Sequence, residues 1–166
     1  MLNPTFVKEL TSLVGPQYIM SELEDRICYS FDATFIDSLP DVVVRPGSRD
    51  EVIKIVKLAY QYKVPVVSRG AATGLSGGAV PVKGGIVLEL TRLNHIIDID
   101  VVNQRATLEP GVITQDFLNA VNKAGLFYPP DPASSKMSTF GGNISECAGG
   151  PKGVKYGVTR DYLLWK

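Results

Sequence analysis

The segment SRGAATGLSGGAV, Ser68 to Val80, places Gly70, Gly74, Gly77 and Gly78 among alanine- and serine-sized residues, next to Arg69. Glycine reaches positive φ at no steric cost, so consecutive backbone N–H groups in such a turn can converge on one point. Thr73 and Ser76 add hydroxyl donors. That chemistry suits an anion, and a diphosphate fits it. Arg69 has two readings: it assists the anion, or it ties the loop to the sheet. The standard phosphate motifs are missing. Gly70 is followed by AATG rather than by a spacing that ends in GK[ST], and no GxGxxG joins a strand to a helix.

A second unusual segment, YPPDPASSKMSTFGGNISECAGG, runs from Tyr128 to Gly150. Asp131 stands between prolines and reads as a turn former rather than a base. Cys28 and Cys147 are far apart, belong to no CxxC pair and have no histidine beside them, so they read as reduced thiols and not as metal ligands. Cys147 reads as a small buried residue of a helix. The single histidine, His95, abuts an apolar stretch and reads as a strand-end side chain; a Ser-His-Asp or Cys-His arrangement would have to be built on it alone. Lys152 and Lys155 read as solvated, with an adenosine phosphate within their reach as the other reading.

The elements that position these segments follow from local signals. Asn3-Pro4 is a cap with proline at the first helical position, and Phe6, Val7, Leu10 and Leu13 form a stripe before Gly15. Residues 16 to 38 lack a clean period and read as loop with a short helix near Ser21 to Asp25. PDVVVRP is a buried strand, and Ser48-Arg49-Asp50-Glu51 opens a helix whose Val52, Ile55, Val56 and Ala59 share a face. VPVVS is the next strand, completing a βαβ unit with parallel strands. The glycine-rich stretch leaves its carboxyl end, where open α/β sheets bind ligands, which favours a binding loop over a linker. GIVLEL, HIIDID and RATLEPGV then read as short antiparallel strands joined by turns. Thr114 caps a helix with Phe117, Leu118, Val121 and Ala124 on one face, closed by Lys123 and Gly125.

At 166 residues, 45% apolar and 20% charged, the chain can bury one core or two small lobes. Seventeen basic residues balance seventeen acidic ones, so overall charge recommends neither nucleic acid nor an anionic membrane. No apolar run approaches the roughly 20 residues of a membrane span, and MLNPTFVKEL lacks a secretory-signal pattern. A cytoplasmic location is expected.

Four ordered blocks carry a resemblance that spans essentially the whole chain: Pro65 to Leu90, LEPGV (Leu108 to Val112), YPPDPASS (Tyr128 to Ser135) and Ser138 to Leu164. The sequence resembles the flavin-linked oxidases of the vanillyl-alcohol oxidase and p-cresol methylhydroxylase fold. Within that fold it resembles the family that unites the flavin-linked subunit of glycolate oxidase with the D-lactate dehydrogenases. The resemblance implies FAD. Arg69, Gly70, Ala71, Ala72, Thr73, Gly74, Ser76, Gly77 and Gly78 correspond to the stretch that wraps the diphosphate. Pro132, Ser138, Gly141, Gly142, Asn143, Ser145, Gly149 and Gly150 correspond to segments that line the isoalloxazine and adenosine, with Asn143 the foremost candidate for a cofactor hydrogen bond. Two departures stand out. Ala72 sits where the family usually has glycine and asks for negative φ or mild strain. Thr73 sits where some relatives carry a flavin-linked histidine, which implies non-covalent FAD.

The fold expected is α+β in two lobes: a small parallel α/β lobe over residues 1–80, then part of a mostly antiparallel lobe with flanking helices over 81–166, with FAD between them. The family's reaction would be oxidation of glycolate or D-lactate by hydride transfer from the α-carbon to flavin N5. Family members run to several hundred residues, with a C-terminal substrate-binding cap that supplies a catalytic histidine and often metal ligands. The resemblance therefore implies a truncated chain that lacks the cap and is inactive alone. Two other readings stay open: a non-catalytic remnant or paralogous subunit without cofactor, and a general nucleotide-binding module. Other oxidase subunits, or a second copy meeting an unpaired sheet edge, are the expected partners.

Overall fold

The computed structural model describes residues 2–164, and the chain divides into two compact units, Met1–Leu93 and Asn94–Lys166.

In the first unit, α1 (Pro4–Val14) begins where Asn3 Oδ1 accepts from Thr5 N at 2.8 Å. It ends at Gly15, whose φ of 89° lets its N–H reach Thr11 O. Phe6, Leu10 and Val14 are buried. After a 3₁₀ turn at Pro16–Tyr18 come the two-residue strand β1 (Ile19–Met20) and α2 (Leu23–Cys28). The stretch expected to be mostly loop thus carries more order, in elements too short to show a period.

The strands β2 (Val42–Val44), β3 (Val66–Arg69) and β4 (Ile86–Glu89) form with β1 a sheet of order β1-β2-β4-β3. β4 runs parallel to both neighbours, Val43 opposite Val87 on one side and Val67 opposite Val87 on the other. GIVLEL was expected to open the antiparallel lobe. It is instead the central strand of the parallel sheet, and the first unit accordingly runs to Leu93. A strand hydrogen-bonded on both sides and covered on both faces reads as a continuous apolar run, which leaves its direction undetermined in sequence. The strands of the βαβ unit are parallel as expected, but β4 separates them.

α3 (Arg49–Tyr62) starts with Ser48 Oγ accepting from Glu51 N at 3.2 Å, while Glu51 Oε2 accepts from Gly47 N at 2.7 Å. Its buried residues are Ile55, Leu58 and Ala59; Val56, expected on that face, is 45% exposed. Leu58 takes the place because Ile55, Leu58 and Ala59 are related by three- and four-residue steps, whereas Val56 is turned about 100° from Ile55. α1 and α3 bury their apolar faces with Val42, Val44, Ile86 and Leu88 in one core.

In the second unit, β5 (Ile96–Asp100) and β6 (Arg105–Leu108) form an antiparallel pair with an irregularity at Ile97. α4 (Thr114–Lys123) packs Phe117 and Val121 into a core with Val112 and Phe140. Phe140 begins α5 (Phe140–Glu146), which is followed by the single-turn helix α6 (Gly153–Tyr156) and a 3₁₀ turn at Thr159–Tyr162. Thr114 was expected to cap α4. Ile113 holds that position without a side-chain bond, and Thr114 is the first helical residue, its side chain fully buried. Cys147 was expected inside a helix; it is the left-handed C-cap of α5, with φ 52° and its side chain half-buried.

Candidate functional site

The glycine-rich loop leaves the carboxyl end of β3 as expected. Arg69, its first residue, is 8% exposed, and its guanidinium turns toward carbonyls of the preceding segment: Nη1 donates to Phe31 O at 2.6 Å, and Nη1 and Nη2 reach Tyr29 O and Cys28 O at 3.5 Å. The side chain ties the end of β3 to the 28–31 segment, a tie different from the one to the sheet that the sequence suggested. Burial pushes its pKa down, against the opposing influences of Tyr29, Asp32 and Glu89. At the same ends of the parallel strands, Glu89 is buried and accepts from Arg45 Nε at 2.6 Å and from Thr91 N at 2.9 Å.

Gly70, Ala71, Ala72, Thr73 and Gly74 are half-buried, and among the described residues the N–H groups of residues 71–74 donate to no protein acceptor. Backbone donors withdrawn from water normally have a partner, so four in succession mark where a ligand acceptor fits. Ala72 adopts φ 53° and Gly77 φ 77°. Ala72 thus takes the left-handed conformation that its Cβ disfavours, and the strain alternative holds. Ala72→Gly is expected to stabilise the chain by about 1 kcal/mol, the relief of strain exceeding the entropy gained by the unfolded chain. Thermal unfolding checks this through a rise of about 2–4 °C in Tm. Ser76 and Gly78 are exposed, and the loop closes where Val80 N donates to Gly77 O.

In the second unit, a buried polar network holds the other expected segment. Thr114 Oγ1 donates to Ser138 O at 2.9 Å, meets Ser138 Oγ at 2.8 Å, and accepts from Asn143 Nδ2 at 2.7 Å. Asn143 therefore spends its amide nitrogen on the fold, which leaves Oδ1 for any ligand. Thr139 Oγ1 caps α5 by accepting from Gly142 N, and Ser145, exposed, donates to Gly141 O. A Cβ on Gly141 would stand 2.7 Å from Pro110 Cβ, and one on Gly150 would overlap the Asp131 carbonyl. A Cβ on Gly149 would meet Val158 Cγ1 at 3.0 Å. These glycines admit neighbouring protein.

Pro132 lines a cavity of about 420 Å³ with Gln115, Asn122, Phe127, Asp131 and Lys152. Asp131 Oδ2 pairs with Lys152 Nζ at 2.8 Å, and its Oδ1 is buried without a partner. The hydrogen bond from Lys152 holds this carboxyl below its usual range. A carboxyl whose folded pKa is depressed stabilises above its unfolded value near 3.9 and loses that contribution as pH falls through the folded value. Lys152→Met is expected to lower stability above about pH 4, by no more than about 1 kcal/mol for so exposed a pair, and to match the parent near pH 2. Urea unfolding at the two pH values checks it. Lys152 is thus paired rather than only solvated.

His95 is exposed, and its Nδ1 lies 2.7 Å from Glu109 Oε2 at the end of the hairpin. No group of three or more His, Cys, Asp or Glu able to hold a metal occurs among the described residues. None of their helices is long and apolar enough to cross a membrane.

Residues 40–165 match the FAD binding domain family. The chain belongs to it. Similarity extends to the glycolate oxidase subunit GlcD of Bacillus subtilis, 46% identical over 99% of this chain and 35% of that protein. It extends also to a D-lactate dehydrogenase of Anaerostipes hadrus, 36% identical over 98% of this chain and 34% of that protein. The chain thus spans about a third of the length of these curated relatives. The solved structure of p-cresol methylhydroxylase superposes with TM-score 0.76 over 87% of this chain and 29% of that one, at 23% identity, which shows the shared fold. The fold class and the flavin-binding character expected from sequence both hold.

Sequence reasoning missed Asp32. It lies in FDATF, is 7% exposed, and accepts from Thr34 N at 2.9 Å and Thr34 Oγ1 at 2.6 Å. One acidic residue in an aperiodic stretch gives no signal of burial.

Proposed function

We propose that the chain is the FAD-binding portion of a flavin-linked dehydrogenase or oxidase acting on a small 2-hydroxy acid, glycolate or D-lactate. The observation that carries this is the run of unpaired, half-buried N–H groups at residues 71–74, in a chain of the FAD binding domain family. Those donors, with Gly77 and Gly78, would hold the diphosphate. Pro132 and the residues from Ser138 to Gly150 would line the remainder, with Asn143 Oδ1 as an acceptor. FAD held there supplies an acceptor for the substrate's hydride.

The part played by this chain is binding and orientation. Arg69 and its carbonyl partners fix the start of the loop, and the Thr114, Ser138 and Asn143 network fixes the second segment. Binding is non-covalent, since Thr73 offers no imidazole. The names of the similar proteins support the substrate class. The visible spectrum of the purified chain, before and after adding FAD and desalting, tests the reading. A resolved flavin spectrum that survives desalting is expected, with no reduction of a dye acceptor by glycolate or D-lactate. Failure to retain flavin overturns cofactor binding by this chain, and dye reduction overturns its inactivity.

A further inference from the structure

Three features converge on the glycine-rich loop from residues 28–38. Arg69 reaches the carbonyls of residues 28, 29 and 31; Ala33 N donates to Gly74 O at 3.3 Å; and Ser38 Oγ donates to Pro81 O at 2.9 Å, just past the loop. Within this strap Asp32 is a buried carboxylate whose Oδ1 accepts from Thr34 N and Thr34 Oγ1, closing the turn from which Ala33 N reaches Gly74 O. A carboxylate near a candidate anion site would ordinarily oppose binding, so its retention asks for a structural reason.

We propose that Asp32 is a positioning residue for the glycine-rich loop: its carboxylate gathers the two Thr34 donors, closes the turn that presents Ala33 N to Gly74 O, and so fixes the loop backbone before any ligand arrives. The consequence for cofactor binding rests on the FAD reading above; the loop-fixing role does not. Both Thr34 donors meet Asp32 Oδ1, which has acceptor capacity for the two. The charge of Arg69 lies close enough to act on Asp32. Burial pushes the Asp32 carboxyl up, yet the bonds from Thr34, together with the Gly77 N–H dipole and the charge of Arg69, outweigh it and hold the pKa below its ordinary value. An ionised Asp32 therefore holds the turn that braces the loop, whereas an anionic ligand would be met by the N–H groups of residues 71–74.

Hydrogen exchange on the ligand-free chain tests the positioning, and flavin-fluorescence titration tests its consequence. Asp32→Ala is expected to speed exchange about tenfold at the bonded amides of Ala33 and Val80, which tie the strap to the loop and close the loop, and to leave residues 114–123 unchanged, with FAD affinity lowered about tenfold. Asp32→Asn keeps the shape but gives up one acceptor, and is expected to fall between the two. Should Asp32→Ala fail to fold, the asparagine variant carries the test. Unchanged exchange at Ala33 and Val80, or an equal rise there and in residues 114–123, overturns the proposal. Loosening confined to the loop in a chain that takes up no FAD upholds the positioning and counts only against the cofactor reading.

Discussion

Gly150→Ala is expected to destabilise the second unit by about 4 kcal/mol. The residue has φ 97°, and an added Cβ would overlap the Asp131 carbonyl and stand 2.7 Å from its Oδ1. The neighbour is backbone held by the bond from Asp131 N to Gly149 O at 3.0 Å, so no side chain can swing aside. Backbone strain of about 1–3 kcal/mol adds to a similar overpacking cost. Gly77→Ala provides the contrast: its φ is 77°, but the nearest atom to the new methyl is Ile36 Cδ1 at 3.9 Å, so only the strain of about 1 kcal/mol remains. Denaturant unfolding of the two variants checks the difference. Equal losses would mean that the approach of Asp131 to Gly150 does not constrain the unit.

Phe117→Ala is expected to cost about 3–5 kcal/mol. Phe117 is 4% exposed and meets Phe140 edge-on at a centroid distance of 4.8 Å and 70°, and Tyr128 at 5.3 Å and 74°. Truncation removes the ring common to both contacts and leaves a cavity beside α5, whose first residue is Phe140. The lining of that cavity is rigid aromatic surface that refills it poorly. The loss should appear as a lower urea midpoint together with a reduced near-ultraviolet aromatic signal. A loss below about 1 kcal/mol would show that Phe140 and Tyr128 close the gap.

Where the sequence was legible, the signal was local. The Asn3-Pro4 start, the Ser48 cap with Glu51 near it, and the Gly125 stop after α4 each act within one helical turn, and each is present. The direction and place of β4 were not legible, because they depend on partners some twenty and forty residues away. The same distinction runs through the site. The glycine-rich loop announced itself by composition. Arg69, Thr114 and the turn that Asp32 closes owe their roles to contacts across 24 to 41 residues, and nothing near them in sequence marks those contacts. Gly141 and Gly150 answer a second demand that composition does not show: an added Cβ would press on Pro110 and on the Asp131 carbonyl.

The sheet order β1-β2-β4-β3 has a consequence for synthesis on the ribosome. β2 and β3 emerge first, and each must wait for β4 to supply the neighbour that lies between them. Until Glu89 has left the exit tunnel, both strands present open edges with α3 already able to form between them in the chain. A nascent chain halted before Ile86 is therefore expected to recruit chaperones, and the insertion of β4 is the step that joins β3 to β2 in one sheet.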